Sequence, residues 1–182
     1  LGGATFTVVF DQAPFVEQSI EALAQEGLLG LVFAVVVILI FLVSVRSTLV
    51  TAISIPTSLL LTFIALQFAE YSLNILTLGA LTIAIGRVVD DSIVVIENIE
   101  RFIREKNMSP HKAAGAAMGE VAGAVIATSL VLIAVFVPVA FFPGTTGRIY
   151  KQFSLTIAIS VAISAFNALT LTPALCAILL ER

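Results

Sequence analysis

Long apolar runs separated by short polar turns set the pattern of this chain. Leu28 to Val45, Leu49 to Ala69, Val121 to Phe142 and Leu155 to Leu180 contain no charged residue. Asn74 to Ile96 is interrupted by charge only at Arg87, Asp90 and Asp91. A bilayer core about 30 Å thick is crossed by about 20 helical residues, and only helices or closed barrels satisfy every backbone group in lipid. The pattern therefore predicts an all-α integral membrane protein, a polytopic transmembrane helix bundle of about five spans, at 28–45, 49–69, 74–96, 121–142 and 155–180.

The flanks of these runs add detail. Leu1 to Phe10 holds the β-favouring stretch TFTVVF and reads as the last strand of something upstream. Asp11 to Gly27 reads as an amphipathic helix near a membrane surface, with Phe15, Ile20 and Leu23 interleaved with Glu17, Glu21 and Glu26. Residues 1–27 are thus a domain end with a lead-in, and 28–182 the bundle. Arg46 to Thr48, Glu70 to Ser72 and Pro143 to Gly147 read as turns. Pro56 is a candidate kink in the second span. The third helix is expected to continue through the charged stretch Glu97 to Lys106. Ser109 at the N-cap and Pro110 at the first helical position open the next one.

Composition then narrows the function. The 182 residues are 59% hydrophobic and 12% charged, with a mean hydropathy of +1.13, which excludes a soluble enzyme. The net charge of -3, without a basic patch, excludes a nucleic-acid partner. Cys176 is the only cysteine, so neither an intrachain disulfide nor a cysteine metal site forms. His111 has no second histidine to share a metal and reads as a surface residue, and Cys176 as a packed apolar one. No metal site, cofactor or enzymatic activity is expected. The chain opens on Leu1 without a signal-peptide pattern, which suggests an excised or processed segment.

Cations set the orientation. With the Arg46 turn in the cytoplasm, that side also receives Arg101, Arg104, Lys106, Lys112 and Arg182, against Arg148 and Lys151 on the other. The positive-inside rule then places the N-terminus outside and the C-terminus in the cytoplasm.

Candidate chemistry lies at Arg87, Asp90 and Asp91. Charges at such depth cost about 2.5–3.5 kcal/mol each on insertion scales, so they face protein or water. Adjacent helical residues point about 100° apart, so the two carboxylates do not face one helix together. Arg87, three and four positions earlier, lies on the side of both. Burial opposes ionisation while a nearby cation favours it, a balance suited to taking up and releasing protons. The bland alternative is a neutralised cluster that only orients helices, and another puts the carboxylates at the cytoplasmic interface. Gly79 and Gly86, with Ala80 and Ala84 beside them, form a small-residue stripe suited to close helix packing. Thr156, Ser160, Ser164 and Asn167 form a polar stripe in the last span, either a water or proton route or plain interhelical hydrogen bonding. Glu97, Asn98 and Glu100 read as a solvated helix end.

Several stretches resemble the resistance-nodulation-division (RND) transporters, especially their hydrophobe and amphiphile efflux branch. GRVVDDSIVVIENIER at Gly86 to Arg101 is similar to that family's fourth membrane helix, and Ala134 to Ile157 and Leu171 to Cys176 to its fifth and sixth. Ala13 to Leu23 resembles the lead-in to the second. The resemblance covers essentially the whole chain. It implies that Asp90 and Asp91 match the paired aspartates that carry protons, and that the aspartate following Asp90 favours organic over metal substrates. Arg87 departs from the apolar residue usual there in Gram-negative drug pumps and is more like members from Gram-positive bacteria. The resemblance further implies that residues 1–27 end an extracytoplasmic domain. It implies a missing second half bearing a lysine partner, a homotrimer, a periplasmic adaptor in a Gram-negative cell and a bacterial inner membrane. The chain itself, as helices two to six of the first half, is not expected to pump alone. Two readings from other classes stand beside this one: a non-transporting oligomerising membrane module, and an intramembrane aspartyl protease, which needs carboxylates converging from different helices.

Overall fold

The computed structural model describes residues 11, 13–42 and 44–180, and among these every regular element is helical. The chain forms α1 (Ala13–Leu42), α2 (Val45–Phe68), α3 (Ile75–Glu105), α4 (Pro110–Phe136), a 3-10 helix (Val137–Phe141), α5 (Gly144–Leu169) and α6 (Leu171–Leu179). The expected strand at residues 1–10 lies outside the described residues. Among the described residues, three stretches are long and apolar enough to cross a membrane: Val45–Phe68, Pro110–Phe141 and Gly144–Leu179. The protein is an all-α membrane helix bundle.

Local chemistry explains where the helices begin and end. The amphipathic lead-in and the first apolar run are one continuous helix, α1. The turn expected at Arg46 to Thr48 falls earlier. Ser44 adopts an extended conformation and its Oγ accepts from Ser47 N at 3.3 Å, an N-cap that draws Arg46 to Thr48 into the first turn of α2. That helix stays continuous through Pro56. Asn74 caps α3 by accepting from Leu76 N and Thr77 N, and Thr77 Oγ1 accepts from Asn74 N at 2.8 Å in return. Ser109 does occupy the α4 N-cap with Pro110 following, but its side chain makes no capping bond.

The turn expected over Pro143 to Gly147 is already helical from Gly144, whose φ of +81° is one that glycine adopts without strain. Gly147 is required for a different reason: a Cβ there would overlap the Phe142 carbonyl oxygen. The last apolar run, read as one span, is broken at Thr170 between α5 and α6. Pro173 lies in the first turn of α6 and has no N–H to give the Leu169 carbonyl, while Thr170 N turns to the Asn167 carbonyl at 3.3 Å and Thr170 Oγ1 donates to the Phe166 carbonyl at 2.6 Å.

Helix α3 touches all the other α-helices. Its buried side chains Val95, Ile96, Ile99 and Phe102 pack with Ile38 of α1, Val50 of α2, Ala113 and Ala117 of α4, Ala168 of α5 and Cys176 of α6. A smaller cluster of Ala80, Ile157 and Val161 joins α3 to α5 further along. Large apolar side chains such as Ile40, Leu60, Val131 and Phe166 cover the outside. In water such a surface would aggregate; in a bilayer it is the face that lipid or further helices cover.

Candidate functional site

The most central helix carries the charges. Asp91 is 3% exposed, and an isolated carboxylate buried this deeply is unstable unless it is paired and hydrogen-bonded. It is both. Arg87, one turn earlier on α3, places Nη2 2.7 Å from Asp91 Oδ1, and Ser164 of α5 donates its hydroxyl to Asp91 Oδ2 at 2.8 Å. Arg87 Nη2 also donates to Thr128 Oγ1 of α4 at 2.6 Å, while its Nε is buried without a hydrogen-bond partner among the described residues. Asp91 thus ties α3 to α5, and Arg87 ties α3 to α4.

Asp90, turned about 100° around the helix, is exposed and has a different setting. It lines a groove of about 340 Å³ between α1 and α3 with Glu26, Gly30, Ala34, Thr82 and Gly86. A second groove, of about 190 Å³, shares Glu26 and Thr82 with the first and reaches Ser19 and Ile75. On the α4 side, a recess of about 140 Å³ is lined by Arg87, Asp90 and Asp91 together with Thr128. The two carboxylates therefore share one recess, yet only Asp90 borders the α1–α3 groove. They do not converge from two helices as a protease dyad does.

The small-residue stripe borders that groove. Gly86 lines the larger part and Gly79 the smaller, and a Cβ at either would meet nothing within 4 Å. Their lack of a side chain leaves the groove wider there.

The polar stripe of α5 divides into two parts. Ser164 and Asn167 reach across to other helices. Asn167 Nδ2 donates to the Ser54 carbonyl at 2.9 Å and to the Ser58 hydroxyl, both on α2. Ser160 bonds back to the Thr156 carbonyl at 2.7 Å on its own helix, and the Thr156 hydroxyl is buried without a partner among the described residues.

Sequence reasoning missed the partner of this stripe. Ser47, Thr51, Ser54, Ser58 and Thr62 are all buried along α2, at intervals of four, three, four and four residues, which is one helical face. Ser54 and Thr172 of α6 share a hydrogen bond at 3.2 Å. Glu100 was also misjudged. It is not a solvated helix end but 7% exposed, with Ser47 donating to its Oε1 and Arg104 Nη2 3.6 Å from its Oε2. Glu97 is exposed as expected. No group of acidic, cysteine and histidine side chains able to hold a metal occurs among the described residues.

The chain is 43% identical to the toluene efflux pump membrane transporter TtgE of Pseudomonas putida, over 94% of this chain and 16% of that protein. It is 44% identical to the multidrug export protein AcrF of Escherichia coli (strain K12), over 94% of this chain and 17% of that one. It is 40% identical to the multidrug resistance protein MdtF of the same Escherichia coli strain over the same shares. The chain therefore spans about a sixth of the length of the curated relatives it matches. The sequence profile of the AcrB/AcrD/AcrF family matches residues 2–182, and with it the RND resemblance holds: this chain belongs to the AcrB/AcrD/AcrF family of efflux transporters.

Proposed function

We propose that this chain is the proton-relay part of an RND-type drug/proton antiporter that exports hydrophobic or amphiphilic compounds. The observation that supports it best is the placement of two adjacent carboxylates in a membrane bundle: Asp91 buried against Arg87 and Ser164, and Asp90 beside it on an open groove. Ionisable groups inside membrane helices mark proton and substrate pathways by default, because their cost is otherwise uncompensated. In this reading a proton enters along the α1–α3 groove, reaches Asp90 and passes to Asp91 through their shared recess. Protonation cancels the charge that holds Arg87, and the loosened contact between α3, α4 and α5 is the two-state element that shifts. Membrane potential contributes about 2.3 kcal/mol per charge per 100 mV to that shift.

The same proposal carries the topology: five membrane spans, with the N-terminus outside and the C-terminus in the cytoplasm of a bacterial inner membrane. The partners follow from it: the remaining half of the transporter, two further copies in a trimer, and a periplasmic adaptor protein where the envelope has an outer membrane. Alone, the segment does not pump, since substrate capture belongs to parts outside it. The test is export of an amphiphilic dye from cells carrying the full-length transporter. Asp90→Asn and Asp91→Asn should each abolish energised export at unchanged membrane abundance; export by both variants at the parent rate would refute the role.

A further inference from the structure

We propose that Thr128 of α4 is a positioning residue for the proton site: its hydroxyl oxygen holds the Arg87 guanidinium on Asp91 rather than on Asp90. The inference rests on the proton-relay reading and adds to it the residue that sets the pairing.

Helical spacing alone leaves the partner of Arg87 open, since residues three and four positions apart share a face, and Asp90 and Asp91 stand at those two positions. The structure makes the choice. Arg87 Nη2 lies 2.7 Å from Asp91 Oδ1, and among the described residues Arg87 forms no ion pair with Asp90. The same nitrogen donates to Thr128 Oγ1 at 2.6 Å. The Thr128 hydroxyl gives its own proton to the Val125 carbonyl, one turn back on α4, at 3.1 Å. Toward Arg87 its oxygen is therefore an acceptor only.

A guanidinium offers five N–H donors, yet both of these contacts use one nitrogen, and Nε is buried without a partner among the described residues. The hold on Arg87 is narrow, and there is room for it to fail. The recess of about 140 Å³ lined by Arg87, Asp90, Asp91 and Thr128 gives the guanidinium space to swing, with Asp90 on its wall as the competing carboxylate. Thr128 approaches from a different helix, so it fixes a side chain that α3 by itself leaves free to divide between two neighbours.

A cation held beside a carboxylate favours the charged form, so a loosened Arg87 lets the site keep its proton to higher pH. Few other charges adjoin it. Asp90 follows on α3, and Glu26 of α1 shares the groove that Asp90 lines. Val121 to Phe142 from α4 onward, Gln152 to Leu180 of α5 and α6, and Ser47 to Phe68 of α2 contain no charged residue.

Thr128→Val removes the oxygen at nearly constant volume, and Thr128→Ser restores it. The experiment uses the intact transporter in proteoliposomes, with an amphiphilic dye substrate and a fixed proton gradient imposed over a series of absolute pH values. Thr128→Val should displace the pH profile of transport upward by at least about half a unit, a fraction of the about one to three units that a neighbouring cation is worth to a carboxylate. Thr128→Ser should return to the parent profile. In an Arg87→Leu background Thr128→Val should add no further displacement, because its effect passes through Arg87. A parent-like profile in Thr128→Val overturns the inference, as does an equal displacement in Thr128→Ser or in the Arg87→Leu background. Loss of transport at every pH with a lowered melting temperature also overturns it, by making Thr128 a packing residue. Asp91→Asn is the control: if it transports normally, the relay reading itself fails, whereas an inactive Asp91→Asn beside an undisplaced Thr128→Val removes Thr128 alone.

Discussion

Asp91 and Ser164 meet at 2.8 Å although they lie 73 positions apart in the chain, and Asp90, the next residue to Asp91, has no part in that contact. One step along a helix separates a carboxylate locked in the bundle from one that borders an open groove. The asymmetry assigns the pair different sensitivities to substitution.

Removing Arg87 should harm the bundle more than removing the whole ion pair. Arg87→Leu leaves Asp91 buried beside Ser164 without its cation, and breaking a buried pair on one side costs about 3–5 kcal/mol. The double variant Arg87→Leu with Asp91→Asn should recover a large part of that loss. Thermal unfolding of the intact transporter in detergent measures both; equal destabilisation by the single and double variants would mean that the pair is not coupled.

Asp90 should be expendable for stability. It is exposed and sits on the groove, so Asp90→Asn is expected to change unfolding by no more than about 0.5 kcal/mol, the usual range for surface positions, while transport is lost. A large drop in melting temperature would assign Asp90 to packing instead.

Gly147 should not tolerate even alanine. The added Cβ would overlap the Phe142 carbonyl, and relieving such overpacking costs about 1–3 kcal/mol or more. Gly30, where a Cβ meets nothing within 4 Å, is the matched control: Gly30→Ala should unfold at the parent temperature or slightly above it, since alanine also favours the helix.

The α2–α5 clamp should be measurable but modest. Interhelical hydrogen bonds in membranes average about 0.6 kcal/mol, and Asn167 makes two of them. Asn167→Ala is therefore expected to cost about 1 kcal/mol, and a second substitution, Ser58→Ala, should add less in that background than in the parent. Full additivity in the double variant would show that the two residues act separately.

How much of this was legible in the sequence depended on which signal each feature leaves. Runs without charge announced the helices, and the charges inside one run announced the site at Arg87, Asp90 and Asp91. Boundaries were harder because they rest on single residues. Ser44, not the Arg46 stretch, caps α2, and Pro173 interrupts a run that hydropathy reads as unbroken. The buried hydroxyl face of α2 was overlooked because serine and threonine scarcely lower the hydropathy of an apolar run; their four-and-three spacing was the available clue. Glu100 left no local clue at all, since an acid at the charged end of a span looks solvated. Its burial comes from α2 and α6 folding against it, which only the tertiary structure reveals.

The central claim, that the adjacent aspartates couple proton uptake to export, is tested most directly by counting protons. In proteoliposomes holding the intact transporter under an imposed proton gradient, the account predicts substrate-dependent proton influx in the parent. It predicts none above the protein-free leak for the double variant Asp90→Asn with Asp91→Asn. Substrate-dependent influx at the parent rate in that double variant would contradict the account.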